Sequence, residues 1–214
     1  MRIDHLVWYS PELASGERHF AAMDSAPAYG GEHPSDGTCN GLLSLGEATY
    51  VEILARDPKQ PASALDGELA GLKGEGLYHW AVGGVELPGI VRKARAAGYR
   101  TSDVVTGGRR KPDGTLLNWS LVGLHEHPFG ALMPFFIDWR DCEHPAVSAP
   151  RGGGFGSIEL FSPDAQRLNA LFAALGLDLA ARQRAQPGIV VTLEAQRGPV
   201  RLASFEPLSR GFVI

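Results

Sequence analysis

Two similar short pieces constrain this chain more than anything else in it. Asp4-His5-Leu6-Val7-Trp8 stands near the start, and Leu77-Tyr78-His79-Trp80-Ala81-Val82 follows further on. Each reads as a strand, because aromatic and β-branched residues suit a pleated, half-buried surface. Gly74, Gly76, Gly83 and Gly84 bracket the second piece with turn residues. Each piece carries a histidine near its start and leads into a helical pattern, then into further strands. A unit repeated in this order predicts duplicated modules that pack side by side and complete a sheet neither can close alone.

The first unit and its connector span residues 1–76. A strand over Ile3–Tyr9 leads to a helix opened by Pro11 and running to about Met23. Gly30–Gly41, dense in Gly, Pro, Asp and Asn, predicts a loop. Strands Asn40–Leu45 and Thr49–Ala55 follow, joined by Gly46-Glu47. A weak helix is expected near Ala64–Leu72. The second unit, 77–150, repeats the order: strand Leu77–Gly83, then a helix after Pro88-Gly89 ended by Gly98. Strands Thr101–Thr106, Thr115–Val122 and Leu132–Trp139 come next, with a turn at Lys111-Pro112-Asp113-Gly114. Arg151-Gly152-Gly153-Gly154 reads as a flexible link to a third, partial copy over 151–214. That copy has strand Phe155–Ser162, a helix from Pro163-Asp164 to Gly176, and strands near Ile189–Leu193 and Val200–Phe205.

Composition narrows the partners. With 214 residues, 44% hydrophobic and 21% charged, the chain can bury a core. A net charge of −4 and the absence of a basic stripe argue against nucleic acid. No run of about 18 apolar residues could span a membrane. The start shows no basic-then-apolar leader, and Cys39 and Cys142 cannot make a disulfide framework, so a cytoplasmic protein with reduced thiols is expected. The glycine run at 152–154 lacks the spacing of a dinucleotide loop.

Several polar residues compete for a functional role. His33 lies in the Gly-rich stretch and could reach over a pocket as a lid residue that contacts substrate. Arg109, beside Arg110, could grip a carboxylate in bidentate fashion or simply lie in a solvated turn. Trp80, like Trp8, Trp119 and Trp139, suits core or pocket wall. His125-Glu126-His127 and Cys142-Glu143-His144 could form a second metal site, although solvated loop histidines account for them as well. Nothing near Cys39 in sequence lowers its pKa, so it reads as structural.

The chain resembles the vicinal oxygen chelate superfamily, and within it the glyoxalase-like branch. Asp4-His5-Leu6-Val7, Gly30-Gly31-Glu32-His33, Gly37-Thr38-Cys39-Asn40, Leu45-Gly46, Tyr50-Val51-Glu52-Ile53-Leu54 with Asp57-Pro58, and Pro134-Phe135-Phe136-Ile137-Asp138-Trp139 carry the likeness. The resemblance implies an α+β fold of repeated βαβββ modules forming a cupped mixed sheet, of glyoxalase, bleomycin-resistance and dioxygenase type, with a partial third module. It places candidate metal ligands on the first and last strands of each module: His5, Glu52 and His79. The fourth position falls near Phe135 or Phe136, which cannot bind a metal. Two imidazoles and a carboxylate would suit Fe, Mn, Zn or Ni and leave sites open for substrate. Glu52 is then also the candidate catalytic group. The implied function is a metal-dependent lyase, isomerase or dioxygenase acting on a vicinally oxygenated small molecule. The alternatives are a binding or resistance protein that uses the same cup without metal, and an interaction scaffold. The sequence leaves open whether the cup closes within one chain or across a homodimer.

Overall fold

The computed structural model describes every residue except Pro34, Ser35, Asp66, Pro112 and Val213. In the first module β1 (Arg2–Ser10) lies parallel to β4 (Tyr50–Arg56). Then β3 (Thr38–Ser44) and β2 (Ala28–His33) follow antiparallel, and α1 (Leu13–His19) packs outside. A connector carrying α2 (Gly67–Gly71) leads to the second module. There β5 (Gly76–Gly83) precedes α3 (Leu87–Ala96), β6 (Arg100–Thr101), β7 (Val105–Arg110), β8 (Leu116–Val122), β9 (Leu124–His125) and β10 (Phe135–Asp138). The order β5-β10-β8-β7 mirrors β1-β4-β3-β2, with β5 parallel to β10 as β1 is to β4. The short pair β6 and β9 stands apart.

The modules join twice. β1 and β5 pair antiparallel from Arg2↔Gly83 to Tyr9↔Gly76, and β2 meets β7 at Glu32↔Arg110. The sheet thereby curls into a closed barrel within one chain. β1 and β5 are equivalent strands, as the sequence repeat predicts.

Strand alternation gives the barrel two faces. Leu6, Trp8, Val51, Ile53, Leu77, Trp80 and Val82 point outward into a core shared with Phe20, Leu87, Ile90 and Ala94 of the helical layer. Each such side chain contributes about 1.5–3 kcal/mol by leaving water. Val7, Tyr9, Leu54, Ala81, Phe135 and Ile137 point inward.

The C-terminal unit repeats the element order but not the pairing. β11 (Gly154–Ser162), α5 (Ala165–Leu175), β12 (Ala181–Gln183), β13 (Gly188–Glu194) and β14 (Val200–Ala203) form a sheet in the order β12-β11-β13-β14. Here the first strand neighbours the second and third, whereas β1 neighbours the last strand of its module. Gly176, at φ +81, ends α5 in the left-handed conformation that glycine adopts without strain. Segment 205–212 then returns across β5, where Ser209 Oγ donates to Tyr78 O at 2.7 Å. The helix α4 (Pro145–Ser148) lies against β3.

Two readings of the sequence change. Most of Gly30–Gly41 is strand, the end of β2 and start of β3, because glycine there marks close approach. A Cβ on Gly30 would collide with Asn40, Arg109 and Leu42. His33 is therefore in the barrel wall and not in a lid. The 151–154 link is pinned to the barrel: Gly152 N donates to Ser44 O at 2.9 Å and Asp24 N to Gly152 O at 3.0 Å. A Cβ on Gly152 would enter the Leu43 side chain. The turn expected at 111–114 is present in part, with Gly114 N donating to Lys111 O at 2.9 Å, while Pro112 lies outside the described residues. No helix among the described residues is long and apolar enough to cross a membrane.

Candidate active site

Glu52 projects from the middle of β4 into the barrel, where a core would otherwise be apolar. Asn40, diagonally across on β3, where Leu42 is the residue opposite, donates its Nδ2–H to Oε1 at 2.6 Å. His33 Nε2 lies 3.8 Å from the same oxygen, and His5 Nε2 lies 3.8 Å from Oε2. The carboxylate is thus flanked by two imidazoles. His33 Nδ1 is 2.9 Å from Thr38 Oγ1. Burial lowers the His33 pKa; the Glu52 charge opposes this, and the Arg109 charge adds to it. His33 is therefore a neutral ring at pH 7.

Behind His5 sits Asp4, which is fully buried. A register shift in the β1–β5 pairing between Ile3 and His5 lets these adjacent side chains meet. His5 Nδ1–H donates to Asp4 Oδ1 at 2.9 Å, and Trp139 Nε1–H donates to the same oxygen at 3.1 Å. His144 Nε2 lies 3.1 Å from Oδ2. The backbone N–H of Ala146 donates to His144 Nδ1 at 3.2 Å, so the His144 proton resides on Nε2 and points at Asp4. Burial alone would raise the Asp4 pKa. The hydrogen bonds from His144 and His5, with their charges, overrule it and hold the carboxyl well below the usual carboxylate range. Because Asp4 engages Nδ1, the other ring nitrogen of His5, Nε2, is the one that faces Glu52. Tyr50 stacks on the His5 ring at 4.7 Å, and burial raises its phenol pKa well above the ordinary value.

The other expected site residues lie elsewhere or are engaged differently. His79 Nε2–H donates to Met133 O at 2.8 Å, and its Nδ1 accepts from Phe212 N at 3.0 Å. Burial pushes its pKa down to about 4. Both ring nitrogens are committed to the backbone, and the Phe135 ring stands 5.3 Å from His5 and 5.2 Å from His79. Phe136 faces the outer core. Among the described residues no group of three His, Cys, Asp or Glu side chains is arranged to hold a metal ion. The geometry therefore does not assemble His5, Glu52 and His79 as a ligand set. Trp80 points to the outer core, the face opposite His79, and donates Nε1–H to Ala131 O at 3.0 Å; it does not line the lumen. Arg109 is buried and donates Nη1–H to Gly30 O, which places its charge beside His33. Exposed Arg110 remains in the solvated strand end and bonds Gly114 O. Cys39 is a buried thiol whose pKa burial raises to about 11, an unreactive state.

The sequence assigns no role to Asp4 or Asn40, although both lie in pieces that carry the family likeness, and it offers His144 only as a loop histidine or part of a second metal site, because His144 meets Asp4 only through the closed barrel. The assembled cluster keeps a route to water, since Glu52 retains 9% of its exposure. A carboxylate with one oxygen fixed by Asn40 and the other facing a basic imidazole nitrogen can accept and return a proton.

Paired βαβββ modules close a barrel around a buried carboxylate–imidazole cluster. The chain belongs to the glyoxalase-like domain family, whose model matches residues 3–176. The match bears out the vicinal oxygen chelate resemblance. Among solved structures, a hypothetical protein from Staphylococcus aureus is similar with a TM-score of 0.66 at 13% identity, over 93% of this chain and 84% of that one. A variant of 4-hydroxymandelate synthase from Streptomyces coelicolor gives 0.51 at 13% identity, over 94% of this chain and 62% of that one. The Mn(II)-bound glyoxalase from Novosphingobium aromaticivorans gives 0.47 at 10%, over 94% and 81%. At these identities the likeness is one of fold. No curated protein matches the chain.

Proposed function

We propose that this glyoxalase-like chain is a small-molecule lyase or isomerase that moves a proton on an oxygenated substrate. Glu52 Oε2 takes a proton from a carbon beside a carbonyl, leaving an enolate, and returns it to the neighbouring atom. His5, anchored by Asp4, holds or relays that proton through Nε2. The nearby guanidinium of Arg109 offsets the negative charge that builds up. His79 takes no part in the transfer, because both its ring nitrogens bond backbone groups. The observation that carries this reading is the Glu52 carboxylate, flanked at 3.8 Å by the Nε2 atoms of both His5 and His33 while still reached by solvent. The aromatic lumen of Phe135, Trp119, Trp139 and Phe212 supports the second reading, a binding protein without catalysis.

The test is incubation with a panel of 2-oxo acids and α-hydroxy carbonyl compounds in D2O, read by proton NMR. Wild type should wash deuterium into at least one compound, and Glu52→Gln should lose that activity. No exchange across the panel, together with an apolar molecule that copurifies, would favour the binding protein. Stoichiometric metal in protein prepared without chelator, lost in His79→Ala, would restore the metal-dependent reading.

A further inference from the structure

We infer that a cleft beside the barrel, lined in part by His79, Phe135 and Phe212 but by none of His5, His33 and Glu52, binds a small amphipathic carboxylate. The cleft has a volume of about 760 Å³ and lies between segment 123–135, the turn from β11 into α5, and segment 207–212. That size suits a drug-sized ligand. Phe129, Leu132, Met133 and Leu208 give it an apolar wall, and Phe135 with His79 forms the partition toward the buried cluster. The inference does not depend on what Glu52 does.

The charged groups around the cleft decide the ligand class. Asp164 Oδ1 accepts from Arg167 N at 3.4 Å as the cap of α5. Glu126 is paired with Arg100 at 2.8 Å, and Arg210 Nε lies 3.6 Å from Glu68. Arg167 differs from these. Its Nε–H donates to Tyr99 Oη at 3.1 Å, and its guanidinium carbon stands 5.8 Å from the ring centres of both Tyr99 and Phe129. Two rings and one hydrogen bond hold the head group in place. Among the described residues it forms no ion pair. Arg167 also lines a smaller, polar hollow of about 370 Å³ with Tyr99, Arg100, His125 and Glu126. It therefore stands where the apolar cleft gives way to polar surface. An exposed guanidinium oriented by Tyr99, with Nη groups that bond no side chain among the described residues, fits at that junction a carboxylate whose apolar body fills the cleft.

The test titrates the full chain with 1-naphthoate and with its uncharged counterpart, 1-naphthalenemethanol, by calorimetry. One naphthoate per chain should bind, at least about tenfold tighter than the alcohol, as expected for a hydrogen bond to a charged group. Arg167→Gln should bring naphthoate down to the level of the alcohol without changing the alcohol. Leu208→Trp should fill the cleft and weaken both. Glu52→Gln should change neither. If circular dichroism shows that Arg167→Gln misfolds, Arg167→Lys, which keeps the charge and loses the fork, gives the same comparison with a smaller loss. Naphthoate binding no tighter than the alcohol, or indifferent to Arg167, overturns the inference. So does naphthoate binding that responds to Glu52→Gln, because the probe would then be in the barrel.

Discussion

Asp4→Asn is the most informative single change in this protein, because shape is kept while the acceptor set is broken. The carboxylate of Asp4 is fully buried and accepts from His5 Nδ1, Trp139 Nε1 and His144 Nε2. An amide offers one oxygen. Its NH2 must then face either His144 Nε2–H or the His5 and Trp139 donors, a donor against a donor. Hydrogen bonds to a charged group contribute about 1.5–3 kcal/mol each, and breaking a buried charged network costs about 3–5 kcal/mol. We expect a loss of about 3 kcal/mol. With a urea slope of about 3 kcal/mol/M, the unfolding midpoint should fall by about 1 M. The pH dependence has a definite sign. The folded pKa of Asp4 is depressed, so the stability it confers is fully present above the unfolded value of about 3.9. That stability is lost as pH falls from there through the folded pKa. The gap between wild type and Asp4→Asn should therefore be widest near neutral pH and close in strong acid. Equal midpoints at pH 7, or a gap that widens below pH 4, would refute the three-donor account.

His79 titrates in the same sense but in a higher window: its folded pKa of about 4 lies below the unfolded value of about 6.5, so stability is full above 6.5 and declines toward pH 4, by about 3 kcal/mol in all. Urea midpoints across that range should slope in wild type and flatten in His79→Gln. Gly211→Ala should loosen segment 205–212, since a Cβ there would stand 2.7 Å from His79 Nε2 and the residue has φ +75; hydrogen exchange at the Phe212 amide should speed up while β1 is unchanged. His33 should stay neutral in NMR titrations below pH 6.5, where a free imidazole gains its proton, because burial lowers its pKa.

The repeated His-bearing strands and the module order were legible because strand alternation and turn residues are local signals. His5 and Glu52 were legible for the same reason, each facing inward on its strand. Trp80 could have been excluded from the lumen by parity alone: it follows His79 directly, and neighbours on a strand face opposite ways. The engagement of His79 was not legible, since its partners are the Met133 carbonyl and the Phe212 amide, backbone groups that any residue carries. His144 read as a loop histidine because its contact with Asp4 spans 140 positions and exists only once the barrel closes. The different pairing of the C-terminal sheet left no trace in the order of its strands.

The two joints between the modules are unequal, and this has a mechanical consequence. One runs the length of β1 and β5, while the other, among the described residues, is the single pair Glu32↔Arg110, with Arg109 reaching across to Gly30. Thermal strain will concentrate at the short joint, so the barrel behaves as a purse with a sewn back and a clasp in front. His33 stands on the clasp side, whereas His5 stands on the sewn side. Opening the clasp would draw Arg109 away from Gly30 and His33 while His33, Glu52 and the Asp4–His5 pair stay together on the first module, so that admitting a guest and preparing the base fall to different parts of one wall.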